Sequence, residues 1–336
     1  MKTYYLGAFP PEYGGVTVKN ENLCSALSEK LNIRKVDFNR IKEKHVLELL
    51  KCVIALADRS ARYVVGISGR VRRKKFSKLL YYINRNALKR SVLIVMGGTA
   101  ARDIANDPEY RRYVEAYRGV YVETQSMKTT LEDVGLRNVR LYPNGRFKPS
   151  REIPLRESNG KLKCVFFSLV QQQKGIDHIL VAAKKLPNVD FYFYGGVDPV
   201  YSECFFAGVD QASNVYYKGV FNGTKEETYA ELSQYDVLLF PTMWKTEGVP
   251  GILVEAKIAG LAVVASNESY NAELVKHGIE GIILQNNTGD SITDVLLTLD
   301  DDRERLMALK KGSRNSASEY FIEDYVPELV KVLEGK

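Results

Sequence analysis

The chain has 336 residues, 45% of them hydrophobic and 26% charged, with a formal net charge of +7; this is an ordinary globular balance in a length that suits two domains. No apolar run reaches the ~18 residues of a membrane span, and the amino terminus lacks the apolar core of a secretory signal. Cys24, Cys52, Cys164 and Cys204 form neither a Cys-x-x-Cys metal spacing nor a disulfide framework, so a cytoplasmic chain is expected.

Taken in chain order, short apolar runs alternate with helical patterns. Strands are predicted at residues 4–7, at 53–56 or 63–67, and at 92–96, 121–123 and 139–142. A helix over 17–31 carries Val18, Leu23, Leu27 and Leu31 at helical spacing. Further strands are predicted at 163–168, 189–194, 215–217, 237–240, 262–265 and 281–284. Helices are expected around 177–185, 225–234, 250–259 and 271–277, and a last one over 321–336. Such alternation predicts α/β architecture, parallel sheets covered by helices. The turn Pro143-Asn144-Gly145 and a stretch with Pro149 and Pro154 mark a linker. The expected domains are therefore 1–150 and 151–320, with the 321–336 helix packing back on the first.

The halves differ in charge. Residues 1–150 hold 29 Lys+Arg against 14 Asp+Glu, and the remainder holds 19 against 27. No acidic residue occurs between Arg59 and Arg90. Here Arg72, Arg73, Lys74 and Lys75 lead into a helix expected to turn Phe76, Leu79, Leu80, Ile83 and Leu88 inward and a basic face outward. Such a face suits an anionic lipid surface or acidic partner; an ordinary solvated helix face has the same pattern. No nucleic-acid partner is expected.

Residues 236–266 read as strand, loop, helix and strand. Pro250 suits the first turn of the helix, and Gly260 closes it. The loop then lies at the carboxyl end of the strand, the edge where open α/β sheets bind ligands. Gly248 and Gly251 let backbone approach a ligand, and the helix start favours a diphosphate. Glu247 and Glu255 flank that start. If all eight intervening steps were helical they would span about 12 Å, a reach suited to hydroxyl groups at two ends of a nucleotide sugar.

This segment resembles the retaining glycosyltransferases of family 4, which have two Rossmann-like domains facing across a cleft (the GT-B fold) and a Glu-x7-Glu motif. The resemblance is strongest over residues 160–285. It implies that Glu247 contacts donor-sugar hydroxyls, that Glu255 contacts the ribose, and that the backbone of Gly248, Val249, Pro250 and Gly251 meets sugar and phosphates. Lys174, in Gln173-Lys174-Gly175, matches the family lysine on the leaving diphosphate. Gly14 and Gly15 match its glycine-rich loop, and Val220 and Phe221 the backbone against the nucleotide base. The turn at Pro143-Asn144-Gly145 resembles the one that ends the family's first domain.

Two departures stand out. Leu169 occupies the position of a family arginine, for which Arg146 or another cation would have to substitute. Gly97 and Gly98 stand where many members carry a histidine. His45, His178 and His277 lie elsewhere, the last two reading as helix-surface residues. The acceptor is expected near Gly97, Gly98 and the basic helix.

The resemblance thus implies transfer of a hexose with retention from a UDP- or GDP-sugar to a glycan or lipid-linked glycan, as in cell-surface polysaccharide synthesis. It implies no cofactor and no metal; Asp300-Asp301-Asp302 reads as a solvated turn. Two other readings stay open. One is a catalytically impaired GT-B module that binds sugar or membrane. The other is a nucleotide-sugar epimerase of similar fold. An oxidoreductase would need Gly-x-Gly-x-x-Gly after the first strand, which Gly14-Gly15 does not supply.

Overall fold

The computed structural model describes residues 1–11 and 14–336. They form two compact units, Met1–Phe147 with Phe321–Lys336, and Lys148–Tyr320.

The first unit has a six-stranded sheet of β1 (Thr3–Gly7), β2 (Ile33–Asp37), β3 (Arg62–Gly66), β4 (Val92–Ile94), β5 (Gly119–Val122) and β6 (Val139–Leu141), in the order β2-β1-β3-β4-β5-β6. Every pairing is parallel. β1 and β3 are buried along their whole length, as continuous apolar strands covered on both faces should be. β2 was not anticipated: as an edge strand reading Ile-Arg-Lys-Val-Asp, it buries only Val36 and Asp37. The run at 53–56 belongs to the helix Val46–Ala57, so the strand of that region is β3. The carboxyl-terminal helix Ile322–Glu334 places Ile322, Val326 and Leu329 in one core with Tyr5, Leu23, Leu27 and Val64. Arg62 Nη1 donates to the Leu333 carbonyl at 3.0 Å, and the Ile322 amide to the Arg146 carbonyl at 3.0 Å.

The basic segment departs from expectation. In the helix Arg70–Ile83 the buried stripe is Arg73, Ser77 and Leu80, while Leu79 and Ile83 are 41% and 55% exposed. The inward slot is taken by Arg73, whose guanidinium donates to Tyr110 Oη at 2.6 Å and the Met96 carbonyl at 2.8 Å, 3.6 Å from Asp103. Leu80 and Leu88 are buried as expected and Phe76 is half-buried, so the departure is confined to Leu79 and Ile83.

The second unit holds β7 (Lys163–Phe167), β8 (Asp190–Tyr194), β9 (Val215–Gly219), β10 (Val237–Phe240), β11 (Ala262–Ser266) and β12 (Gly281–Leu284), in the order β12-β11-β10-β7-β8-β9. All pairings are again parallel. Alternate residues feed two cores: Cys164, Phe166, Val237 and Leu239 face one side, and Val165, Leu238, Phe240 and Val263 the other. At the amino edge, Asp236 is fully buried. It accepts from Lys310 Nζ at 3.0 Å, Ser158 Oγ at 2.6 Å and the Lys163 amide at 3.0 Å. Burial alone would raise its carboxyl, but Lys310 and these donors outweigh it and hold the group below the usual carboxylate range.

Asp300, Asp301 and Asp302 lie at a helix–helix junction, the last two exposed to solvent. Asp300 pairs with Arg303, and Asp302 caps the helix Arg303–Ser316 by accepting from the Arg305 amide at 2.9 Å. His277 lies beyond the short helix Asn271–Leu274, and its Nδ1 accepts the Ile283 amide at 3.1 Å.

Candidate active site

In the second sheet the chain runs outward from β7 through β8 to β9, then returns past β7 to begin β10. The strand order therefore reverses between β7 and β10. Crevices at such reversals, at the carboxyl ends of the strands, are where open α/β sheets hold ligands. The loops leaving β7 and β10 flank this point, and they bring together the two side chains predicted for catalysis. Lys174 Nζ and Glu247 Oε1 form an ion pair although 73 residues apart in sequence.

Local structure explains the contact. After β7 the chain makes a 3-10 turn, Gln172–Lys174, and enters the helix Ile176–Lys185 through Gly175 in the left-handed region at φ 75°. A Cβ on Gly175 would stand 2.0 Å from the Pro241 carbonyl oxygen, so only glycine lets the two loops approach this closely. The Met243 amide donates to the Gln173 carbonyl at 2.8 Å and fastens them. Lys174 is 6% exposed. Its ammonium lies 5.2 Å from the Phe240 ring centre and 5.5 Å from that of Trp244, within cation–π range of both.

Glu247 is held from two further directions. Thr242 Oγ1 donates to its Oε2 at 2.9 Å, and Ser269, at φ 54°, donates through Oγ to its carbonyl. Asn287 Nδ2 donates to the Pro241 carbonyl at 2.9 Å, and Ser266 Oγ to the Thr242 carbonyl at 2.6 Å. Thr242, Ser269 and Asn287 were not singled out in the sequence; Thr242 lay within the segment that was read, but nothing in its spacing gave it a role.

The helix Gly251–Ala259 follows. Pro250 is its N-cap, at φ −71° and ψ 121°, rather than a first-turn residue, and no side chain caps the helix among the described residues. Its first turn carries no acidic residue, so the positive dipole end is left for an anion. Gly248 is half-buried, and Val249 turns its side chain into the core beside Ile252 and Leu253. Glu255 is half-buried one turn into the helix. Glu247 lies outside the helix, so only the steps from Gly251 to Glu255 climb at the helical rise, about 6 Å, and a loop covers the rest.

Next along the carboxyl edge, Gly219 ends β9 at φ 76°. Val220 is 58% exposed and Leu169, just past β7, is 48% exposed. A Cβ on Gly196 would lie 3.9 Å from both side chains, so the three form one apolar spot at the ends of β7, β8 and β9. Phe221 packs edge-on against Phe167 at 5.7 Å. From β10 to β9 the edge crosses three strand spacings, about 14 Å.

In the first unit, Gly14 is the N-cap of the helix Gly15–Ser28, which starts two residues earlier than expected. The Gly14 amide donates to Thr17 Oγ1 at 2.9 Å. Gly97 sits at φ 103° in the loop after β4, followed by buried Gly98, and Arg73 ties the basic helix to this loop through Met96. Of the four basic residues assigned to the acceptor side, Arg72 and Lys75 are exposed. Arg73 is a buried structural cation, and Lys74 is held by Asp107 at 2.7 Å and Glu109 at 2.8 Å. Arg146 is buried, donating to Asn144 Oδ1 at 2.9 Å and the Gly145 carbonyl at 3.1 Å.

Residues 150–316 match the family model of the Glycosyl transferases group 1. The second unit belongs to the Glycosyl transferases group 1. A 41.2 kDa protein from the cps region of Klebsiella pneumoniae is 27% identical over 137 residues, 40% of this chain and 36% of that protein. The Escherichia coli UDP-Gal:alpha-D-GlcNAc-diphosphoundecaprenol alpha-1,3-galactosyltransferase is 34% identical over 84 residues, 25% of this chain and 21% of that enzyme. The chain thus spans only about a third and a fifth of these two relatives. HepE of Anabaena, solved in complex with UDP, superposes over 100% of both chains with a TM-score of 0.75 at 15% identity, a likeness of fold. The GT-B architecture expected from the sequence is borne out in the two parallel α/β units.

Proposed function

We propose that the protein transfers a hexose, with retention, from a UDP-sugar to a glycan or lipid-linked glycan acceptor. The observation that carries this reading is the Lys174–Glu247 ion pair, set at the strand-order reversal beside an uncapped helix start. A diphosphate entering there meets the ammonium of Lys174 and the amides of the Gly251–Ala259 helix. Lys174 then exchanges its carboxylate partner for phosphate oxygens. Glu247, still held by Thr242, turns its acceptor oxygens to sugar hydroxyls. Glu255 serves the ribose, and the backbone of Val220 and Phe221 the base.

In the reaction the bond from the anomeric carbon to the diphosphate oxygen breaks, and a bond to the acceptor oxygen forms on the same face. The acceptor proton passes to the departing diphosphate, so no protein base is required. Lys174 and the helix dipole stabilise the charge that grows on the leaving oxygen. The developing charge is met without a metal in this scheme, and turnover should therefore persist in EDTA. The uridine donor and the lipid-linked acceptor draw support from the name of the Escherichia coli relative, and the uridine from the UDP held by HepE.

The test is a thermal-shift screen with UDP, GDP and their sugars, followed by donor hydrolysis and product analysis. A ligand that binds the native state raises the melting temperature by mass action. UDP should raise it and GDP should not, and the rise should vanish in Lys174→Ala. One observation favours a second reading: Leu169 is an exposed apolar side chain just past β7, where the family resemblance implies an arginine. A nucleotide-sugar complex that neither hydrolyses nor transfers would identify an impaired binding module.

A further inference from the structure

The helix Val46–Ala57 is built inside out. Its buried residues are Glu48, Cys52 and Ala55, and Glu48 accepts the Asp37 amide at 2.8 Å. Its large apolar side chains point to solvent: Val46 is 76% exposed, Leu47 75%, Leu49 52%, Leu50 53%, Val53 54% and Ile54 47%. An ordinary surface helix turns such residues inward. Six on twelve positions make a contiguous apolar face of the kind that marks an interaction surface.

The charges around this face are mostly basic, although Glu43 is exposed at its amino-terminal end, Asp58 caps its carboxyl end and Arg70 lies 4.0 Å from Asp103. At its amino-terminal end Arg40 and Lys44 are exposed. On the adjoining helix Arg70–Ile83, Arg70, Arg72 and Lys75 are exposed, with Val71 62% exposed among them. The short helix Phe38–Lys42 bridges the two helices, Phe38 meeting Phe76 edge-on at 5.3 Å. Of the nearby acids, Glu43 lies 3.3 Å from His45, and Glu48 points inward and also binds Lys51.

We propose that the outward face of Val46–Ala57 docks on an anionic lipid bilayer, with its aliphatic side chains among the acyl chains and Arg40, Lys44, Arg70, Arg72 and Lys75 on the headgroups. Twelve residues give a helix of about 18 Å, too short to cross a ~30 Å hydrocarbon core, so it lies in the interface plane. Lys51, turned to Glu48, is the one exposed polar side chain among Leu47, Leu50 and Ile54; a cation-rimmed apolar helix of this kind matches the two terms of interfacial binding, buried area and attraction to anionic lipid. This differs from an electrostatic role for the whole basic segment 59–90, because Arg73 and Lys74 are already engaged. It does not depend on the transfer reaction.

The test is flotation of the full chain with phosphatidylglycerol–phosphatidylcholine vesicles and with pure phosphatidylcholine vesicles. Wild type should float with the anionic vesicles at least tenfold more than with the neutral ones. Leu47→Glu with Leu50→Glu should cut flotation at least tenfold without changing the melting temperature, since both positions are exposed. Arg70→Glu, Arg72→Glu and Lys75→Glu together should abolish the preference for anionic vesicles. UDP thermal shifts should be as in wild type in the leucine variant. Wild type that stays unbound to anionic vesicles overturns the proposal. So does a wild-type dimer in sedimentation equilibrium that dissociates in the leucine variant, which would assign the face to a second copy of the chain.

Discussion

Thr242 donates its hydroxyl to Glu247 Oε2 at 2.9 Å from a position fully shielded from solvent. In the proposed reaction it is a positioning residue, acting through the carboxylate rather than on a ligand. Thr242→Val keeps the shape and removes the donor. Transfer should fall about tenfold, mostly in kcat, and stability by about 1 kcal/mol. Thr242→Ser, which restores the hydroxyl, should recover most of the rate. Equal loss in both variants would mean that the methyl group, not the hydrogen bond, matters.

Glu247 and Lys174 should behave as one device. Glu247→Gln should lower transfer by 10²–10³-fold, the order seen when a preorganised polar contact is removed from an active site. Lys174→Ala should lower it as much and also weaken UDP binding, measured by calorimetry. The double variant should be little worse than either single one, because groups that act together are not additive.

Gly175 is the hinge of the contact. Gly175→Ala adds a Cβ 2.0 Å from the Pro241 carbonyl oxygen and demands a left-handed conformation. Strain of about 1–3 kcal/mol is expected, read as a lower midpoint in urea. Displacement of Lys174 should cost transfer activity in addition.

Leu169→Arg tests the diphosphate end of the edge from the opposite direction. An added guanidinium there should tighten UDP binding about tenfold, or about 1.4 kcal/mol. Weaker binding would show that the apolar spot formed with Gly196 and Val220 contacts the base instead.

Asp236 and Lys310, both fully buried, should dominate acid sensitivity in the second unit. The carboxyl of Asp236 is depressed in the folded state. The stability it contributes is therefore present above the unfolded value of about 3.9 and is lost as pH falls through the lower folded value. Asp236→Asn strands the ammonium of Lys310 and should cost about 3–5 kcal/mol at neutral pH. Urea denaturation between pH 2 and 7 should show a shallower acid-side loss in the variant than in wild type.

The sequence made the nucleotide-side loop legible because its signals are local. The apolar strand β10, the glycines at 248 and 251 and the stop at Gly260 each act within a few residues of their position. The pairing of Lys174 with Glu247 was not legible, because it depends on β10 returning beside β7, a non-local outcome. The helix Val46–Ala57 was partly misread for a related reason. Its apolar run lacks a solvent-facing polar stripe, so periodicity could not separate it from a buried strand. Strand β2 was missed because an edge position tolerates Arg34 and Lys35. The inward Arg73 defeated the pattern of the helix that carries it, since a buried cation with three partners counts as core in the fold and as surface in the sequence.

One feature of the fold bears on how the chain acquires its structure. The helix Ile322–Glu334 completes the core of the first unit, yet the entire second unit precedes it in the chain. On a ribosome, the first sheet must therefore wait through 173 intervening residues with Tyr5, Leu23, Leu27 and Val64 incompletely covered. The second unit, being contiguous, has no such delay. The first-made half of this protein is thus the last to be finished, and removal of the final helix should send that half to chaperones or aggregation while leaving the second unit folded.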